Sequence, residues 1–456
     1  MTGTDFLQLD ATAVPRGQRT SWLTDAVRQA IDDGRISAGM RLPATRVLCG
    51  ELGVARGTVI EAYQRLTEEG LLVPNRGGGT VVAAPVRVTD PPAPVRRPGT
   101  HTIDLSTGLP DLAAFPRSAW LRAEREALAR STGEELGYAN PQGVRELRIE
   151  LAKWLARSRG VRVNPKRIIV TSGVTQAISL LAQVLGDRGA TTIAVEDPGA
   201  EGARRILSYW MEQVVPVPVD QHGIVVSALA RIHPSAVTIT PAHQSPTGVA
   251  LSPERRRELV DWAAGGGLII EDDYDAEYRY DRAPIRALHS LAPDSIAYTA
   301  SLSKTLAPAL RLGWLVVPPR LHDEVVTRKW ATDLGSPVLP QLALASLIRS
   351  GTLERHLRTM RARHRQRRDA AVDAVARHLP GCTVEGIAAG VHILVMLPRH
   401  IDDGDIARRA AEHGIKIHPL SLYRVTPGPP GLVIGYGAHT PERINHTISV
   451  LGRITA

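Results

Sequence analysis

Of the 55 basic residues in this 456-residue chain only five are lysines, and one of them, Lys304, stands in "SLSKTLAPALRLG" (301–313). Ser301 and Ser303 precede it and Arg311 follows. A lysine at the end of an apolar run can form a Schiff base with an aldehyde, and the hydroxyls and the guanidinium beside it can hold a phosphate. A second phosphate cradle is offered by "TSGVTQA" (171–177). There Ser172, Gly173 and Val174 stand where a strand-like run gives way to a helical one, with backbone amides and the helix dipole aimed at an anion. In "EDDYDAEY" (271–278), Asp272 and Tyr274 are two residues apart, which places both on one face of a strand. A carboxylate can keep a pyridinium nitrogen protonated, and a phenol can bond a ring hydroxyl. A lysine, a phosphate cradle, a carboxylate and a phenol are the parts that pyridoxal phosphate needs from a protein. Ser-x-Ser-Lys alone is an ordinary surface pattern; the ordered set carries the signal.

The elements that must position these groups follow from the apolar pattern. Runs such as "RIIVTSG" (167–173), "TTIAVEDPG" (191–199), "AVTITPA" (236–242), "GLIIEDDYDAEY" (267–278) and "SIAYTASLSK" (295–304) alternate with helical segments. That alternation implies an α/β fold with a mostly parallel sheet covered on both faces. Ligands of such sheets bind at the carboxyl ends of the strands, and each polar cluster named above falls at such an end.

The first 83 residues have a different pattern. "SWLTDAVRQAIDDG" (21–34) places Trp22, Leu23, Ala26, Val27, Ala30 and Ile31 on one helical face, closed by Gly34. A shorter helical pattern runs over 42–54 and a third over 55–72, with Val59, Ala62, Tyr63 and Leu66 inward. "LLVPNRGGGTVVA" (71–83) then alternates about a glycine turn as a hairpin. Helix, helix, turn, helix and a two-stranded wing make a winged helix-turn-helix. Its third helix would enter the major groove of double-stranded DNA by its N-terminal end, carrying Arg56, Gly57 and Thr58. Arg46 could touch phosphate or a guanine edge, and Gly78 lies in a wing tip where backbone can approach the duplex.

Composition sets the bounds. A hydrophobic share of 43% reads as globular. The net charge of +9 fits a nucleic-acid partner without establishing one. No apolar run is long enough to span a bilayer and no signal peptide pattern is present, so a cytoplasmic location is expected. Cys49 and Cys382 form no metal or redox motif, and no metal site is expected. "APVRVTDPPAPVRRPGTHT" (84–102) reads as a proline-rich linker, which gives a head over 1–83 and a second domain over 103–456.

The head resembles the GntR family of bacterial regulators through "GRISAGMRLPATR" (34–46), "LGVARGTVIEAYQRLTEEGLL" (52–72) and "GGGTVVA" (77–83). Ala55, just before the arginine, departs mildly, since it removes one possible hydroxyl contact. The second domain resembles the fold-type-I aminotransferases through "GYANPQGVRELRIELAKWLARSRGV" (137–161), "TSGVTQAI", "EDPGAEG" (196–202), "PAHQSPTGV" (241–249), "EDDYDAEY" and "SLSKTLAPALRLGW" (301–314). That resemblance implies a Schiff base at Lys304, Asp272 at the ring nitrogen and Tyr274 at the ring hydroxyl. It implies Ser172, Gly173, Val174, Ser301, Ser303 and Arg311 near the phosphate. It implies Tyr138 reaching the phosphate of a neighbouring subunit in a homodimer. A GntR-like head joined to such a domain is similar to the MocR subfamily of transcription regulators. The implied function is a regulator whose DNA binding, on an operator with repeated half-sites, responds to pyridoxal phosphate or to a second small-molecule effector.

Three departures set the chain apart from a working transaminase. Ala200 stands where an aromatic commonly stacks on the cofactor ring. The asparagine expected before "PTG" falls in "HQSP" (243–246), where His243 or Gln244 could take its role. Val433, in "VIGY", stands where an arginine would bind a substrate carboxylate, and Arg424 could reach the site from a nearby loop instead. Efficient transamination of an ordinary α-amino acid is therefore not expected. An active aminotransferase with a DNA-binding appendage, and an inert dimerisation scaffold, are the alternatives.

Overall fold

The computed structural model describes residues 9–75, 79–83 and 103–455. The chain divides into two units, 1–97 and 98–456. The wing-tip glycines Gly77 and Gly78, and the segment 84–102 read as a linker, lie outside the described residues.

In the first unit three helices, Arg19–Asp32, Thr45–Glu51 and Arg56–Glu68, surround a small core of Leu23, Val27, Leu48, Val59, Ala62 and Leu66. Trp22, Ala26 and Ile31 lie on the same face but are only half-buried. Strands β1 (Leu72–Asn75) and β2 (Gly79–Val82) pair antiparallel, with Asn75 opposite Gly79. The segment before the second helix adds to this wing, because Leu42 N–H donates to Thr80 O and Val82 N–H to Met40 O, both at 2.9 Å. The Tyr63 phenol donates to Pro43 O at 3.0 Å, which ties the third helix to the same segment.

The second unit starts with β3 (Ile103–Asp104). Its main sheet has eight strands: β4 (Ile168–Thr171), β5 (Thr192–Asp197), β6 (Gln213–Asp220), β7 (Gly223–Ile224), β8 (Ala236–Ile239), β9 (Leu268–Asp272), β10 (Ile296–Ser301) and β11 (Gly313–Val316). Their order is β4-β11-β10-β9-β8-β5-β6-β7. From β6 to β10 every neighbouring pair is parallel, while β11 runs against both its neighbours and β7 runs against β6. The mostly parallel α/β sheet expected from the apolar runs is thus present. Side chains alternate between two cores. Trp314 and Val316 pack with Trp154 and Leu151 on one face, and Leu315 packs with Ile178 and Leu181 on the other. Burial of both faces explains why these strands read as unbroken apolar runs.

A smaller sheet nearer the C-terminus holds β12 (Thr383–Glu385), β13 (His392–Met396), β15 (His418–Pro419) and β16 (Gly431–Gly435), in the order β12-β13-β16-β15. Between them in sequence, β14 (Ile415–Lys416) pairs in parallel with β3, which stitches the start of this unit to its C-terminal part. No helix among the described residues is long and apolar enough to cross a membrane.

Candidate functional site

A cavity of about 340 Å³ opens at the carboxyl ends of the parallel strands. Its walls include Thr107, Gly108, Ala200, Ser245, Tyr274 and Lys304. The Lys304 ammonium donates to Gly108 O at 2.9 Å. Gly108 has φ +89°, and a Cβ there would overlap Lys304 Nζ, so the close approach requires glycine. Burial pulls the Lys304 amine below its ordinary pKa, opposed by the nearby carboxylates of Asp272 and Asp275.

Asp272 ends β9. The reading that Tyr274 continues the strand face is corrected here: the strand stops at Asp272, and a turn rather than a period of two brings Tyr274 to the cavity. Asp272 Oδ1 is buried with no hydrogen-bond partner. Burial first, then the neighbouring Asp273, pushes its carboxyl up to about 7. Between these two residues Asp273 turns the other way, into a buried fork with Arg159 at 2.6 and 2.8 Å. Tyr298 donates to the same carboxylate at 2.6 Å. That satisfied ion pair fixes the turn from which Asp272 and Tyr274 project, since a two-pronged guanidinium–carboxylate contact fixes orientation as well as distance.

The residues read as a phosphate cradle gather where β4 and β10 end and β11 begins, strands that adjoin in the sheet, and none of them lines the cavity. Gly173, at φ +98°, is the N-cap of the helix Val174–Asp187. A Cβ on Gly173 would lie 3.4 Å from the Arg311 guanidinium, which puts that cation beside the helix N-terminus. Arg311 is exposed and makes no ion pair among the described residues. Ser172 N–H is taken by the Gln176 side chain at 2.8 Å. Ser301 is buried at the end of β10, and its hydroxyl accepts from Ser303 N–H at 3.4 Å. An unpaired cation, a helix N-terminus, a lysine amine and an orphaned carboxyl oxygen are a donor and acceptor set that fits a phosphorylated pyridine aldehyde. Tyr138 stands apart from this set. It is 93% exposed, in a surface hollow with Leu136 and Leu334.

Neither His243 nor Gln244, the two readings left open at 243–246, lines the cavity. Gln244 ties its own turn together, donating to Pro198 O and Ser245 O and accepting from Thr247. Ser245 lines the cavity. His243 lies behind Tyr274, with Nδ1 at 3.1 Å from the phenol oxygen and 3.0 Å from Asp275. His392, whose Nε2–H donates to Pro246 O at 3.2 Å, completes a buried cluster of three residues with ligand-type atoms within 4.8 Å of one another. Arg424 does not reach the cavity. Its side chain lies over Gly428, in a separate hollow with Arg399 and Asp402. Val433 is fully buried in β16 beside Leu420 and Tyr423.

Sequence reasoning missed the opposite wall. The Tyr423 phenol is hydrogen-bonded to Thr107 at 2.7 Å and to His418 Nδ1 at 2.8 Å. The Arg204 guanidinium donates to the carbonyls of Leu422 and Tyr423, and Asp197 accepts from the amides of Val425 and Thr426. These bonds pin the segment against the strand β5 end. This wall joins Thr107 and Arg204 to Tyr423 across 316 and 219 residues, so no local pattern could have marked it. Lys304 is the only lysine or arginine among the described residues lining the cavity.

On the first unit, Arg56 opens the third helix, with Gly57 and Thr58 in the same first turn. Arg46 lies in the first turn of the second helix, and both arginines are exposed. The N-cap, Ala55, has no side-chain oxygen to offer the first amides of the helix, and its carbonyl accepts from Thr58 N–H at 3.0 Å.

Comparison with known proteins agrees with both halves. Residues 20–82 match the family described as bacterial regulatory proteins, gntR family, and residues 100–451 match aminotransferase class I and II. The chain is 34% identical over 436 residues to the HTH-type pyridoxine biosynthesis transcriptional regulator PdxR of Corynebacterium glutamicum, covering 94% of each. It is 32% identical over 454 residues to the probable rhizopine catabolism regulatory protein MocR of Rhizobium meliloti, covering 94% of this chain and 92% of that one. Among solved structures, the kynurenine aminotransferase of Pyrococcus horikoshii superposes with a TM-score of 0.72 at 26% identity, over 78% of this chain and 91% of that one.

Proposed function

Given that the chain belongs to the aminotransferase class I and II family and joins to it a gntR-family head, we propose that it is a transcription regulator. In this reading the head (1–83) binds double-stranded DNA, a linker (84–102) follows, and the domain over 103–456 holds pyridoxal phosphate and dimerises. The observation that carries the reading is the Lys304 amine in the cavity wall, with the unpartnered carboxyl of Asp272 near enough to act on its charge. The relatives named as transcriptional regulators along nearly their whole length support it.

Within that reading Lys304 is the covalent attachment point, Asp272 holds the ring nitrogen and Tyr274 the ring hydroxyl. Ser172, Gly173, Val174, Ser301, Ser303 and Arg311 hold the phosphate. Tyr138, exposed on one protomer, serves the site of its partner in a homodimer. The bound group supplies an aldehyde and an electron-withdrawing ring. The chain's own residues position it, with the Lys304 amine, kept easier to deprotonate by burial, as nucleophile. On the first unit Arg46 and Arg56 contact DNA, with Gly57 and Thr58 at the same helix end, and two heads would read two half-sites. The wing-tip residue Gly78 belongs to the same proposal.

A working transaminase is the competing reading. A wall without arginine and a buried Val433 leave a substrate carboxylate with no bidentate partner, which favours pyridoxal phosphate itself, or a ligand without a carboxylate, as effector. The test is a visible spectrum of the purified protein with pyridoxal phosphate, beside Lys304→Ala. A band in the wild type that is absent in the variant supports the reading; no band in either overturns it.

A further inference from the structure

The third helix of the head, Arg56–Glu68, turns Val59, Ala62, Tyr63 and Leu66 inward. Arg56, Gly57, Ile60, Glu61 and Gln64 face outward and are exposed. The others are polar or lack a side chain. Ile60 is the exception, 44% exposed and outside the apolar core of the head. A single exposed apolar side chain is ordinary on a protein surface, so its position has to carry the argument. Ile60 stands four residues after Arg56 and three after Gly57, which makes both its neighbours on one helix face. It lies about 6 Å further along the axis than Arg56, still within the end of the helix that would enter a major groove.

Two further observations bear on that face. The outward polar groups that follow are engaged with residues one turn closer to the C-terminus: Glu61 accepts from Arg65 at 2.6 Å, and Gln64 donates to Glu68 at 3.1 Å. Gly57 has no packing reason to be glycine, since a Cβ there would meet nothing within 4 Å and its φ is not positive. Glycine in a helix costs conformational entropy relative to alanine. What its bare backbone provides is close approach of another surface beside Ile60.

We propose that Ile60, beside the bare backbone of Gly57, is a specificity-determining residue that reads the 5-methyl group of a thymine in the major groove. The inference rests on the reading that the head binds double-stranded DNA, and deepens it by naming a base. Thymine alone among the four bases presents a methyl group in that groove, and an apolar side chain is its partner. Arginines on the same face attract any duplex through its phosphates. An isoleucine adds affinity only where a methyl group stands within reach, so its contribution is one of sequence.

The test uses the full-length protein, a DNA fragment that it selects from random sequence, and fluorescence anisotropy at fixed salt. Each thymine of the fragment is replaced in turn by deoxyuridine, which lacks only the methyl group. The wild-type Kd should rise about fourfold at one thymine of each half-site, the worth of one buried methyl group. Ile60→Ala should keep the thermal stability of the wild type, bind the unmodified fragment at least about threefold more weakly, and lose nothing further at that thymine. A role in the fold alone would instead leave the deoxyuridine penalty the same in both proteins. A wild type indifferent to every thymine methyl, or a penalty of equal size in Ile60→Ala, overturns the inference alone. Failure of the full-length protein to select any fragment overturns the reading on which it rests.

Discussion

Asp272→Asn in the cofactor-free protein isolates the cost of keeping a buried carboxyl oxygen without a hydrogen-bond partner. Asp272 Oδ1 has no protein partner, and its carboxyl is pushed from 3.8 up to about 7 by burial and by Asp273. The folded protein therefore keeps a proton that the unfolded chain gives up near pH 4. A raised folded-state pKa means stability present at acid pH and lost as pH rises from about 4 to about 7. At ~1.4 kcal/mol per unit, the gap corresponds to about 4 kcal/mol. Asparagine cannot ionise, so the stability difference between variant and wild type should swing by up to that amount in favour of the variant between pH 4 and pH 8. Glu196, Glu271 and Glu277 are also pushed up to about 7, first by burial, and they impose the same slope on both proteins. Urea unfolding at fixed pH, followed by tryptophan fluorescence, suits the question, because six of the seven tryptophans lie in the second unit. Parallel stability curves across that pH range would refute the reasoning.

Further outcomes follow from the geometry. Gly108→Ala should lower incorporation of pyridoxal phosphate at least tenfold, since a Cβ would displace the Lys304 amine, while the far-UV circular dichroism spectrum stays unchanged. Leu66→Ala removes a fully buried side chain of the first unit and should cost about 2–5 kcal/mol there, abolishing DNA binding while the visible band persists. Arg56→Ala, at an exposed helix start, should weaken DNA binding by about 1–3 kcal/mol without changing thermal stability, as read by fluorescence anisotropy at fixed salt.

Local pattern made the scaffold legible. The inward residues Val59, Ala62, Tyr63 and Leu66 recur at helical spacing, and all four are buried. The strand carrying Ser301 and the turn carrying Gly173 follow from apolar runs that end in small polar residues. Long-range closure was not legible. Lys304 meets Gly108 across 196 residues, and Tyr423 meets Thr107 across 316. The aim of Asp273 away from its neighbours depends on Arg159, 114 residues earlier. Period-two reasoning brought Asp272 and Tyr274 together for the wrong reason, because the strand had already ended. His243 was within view as a substitute for asparagine, but its contact with Asp275 is supplied only by the folded turn.

The central claim is that occupancy of the Lys304 site changes the affinity of the head for DNA. The direct measurement is fluorescence anisotropy on a DNA fragment selected from random sequence by the purified full-length protein, at fixed salt, with and without pyridoxal phosphate. Wild type and Lys304→Ala are compared. A coupling of about 1 kcal/mol or more would appear as a change of at least about fivefold in the wild-type Kd. Lys304→Ala should bind the same DNA with a Kd that pyridoxal phosphate does not move. A wild-type Kd that stays constant while the visible band forms would contradict the account.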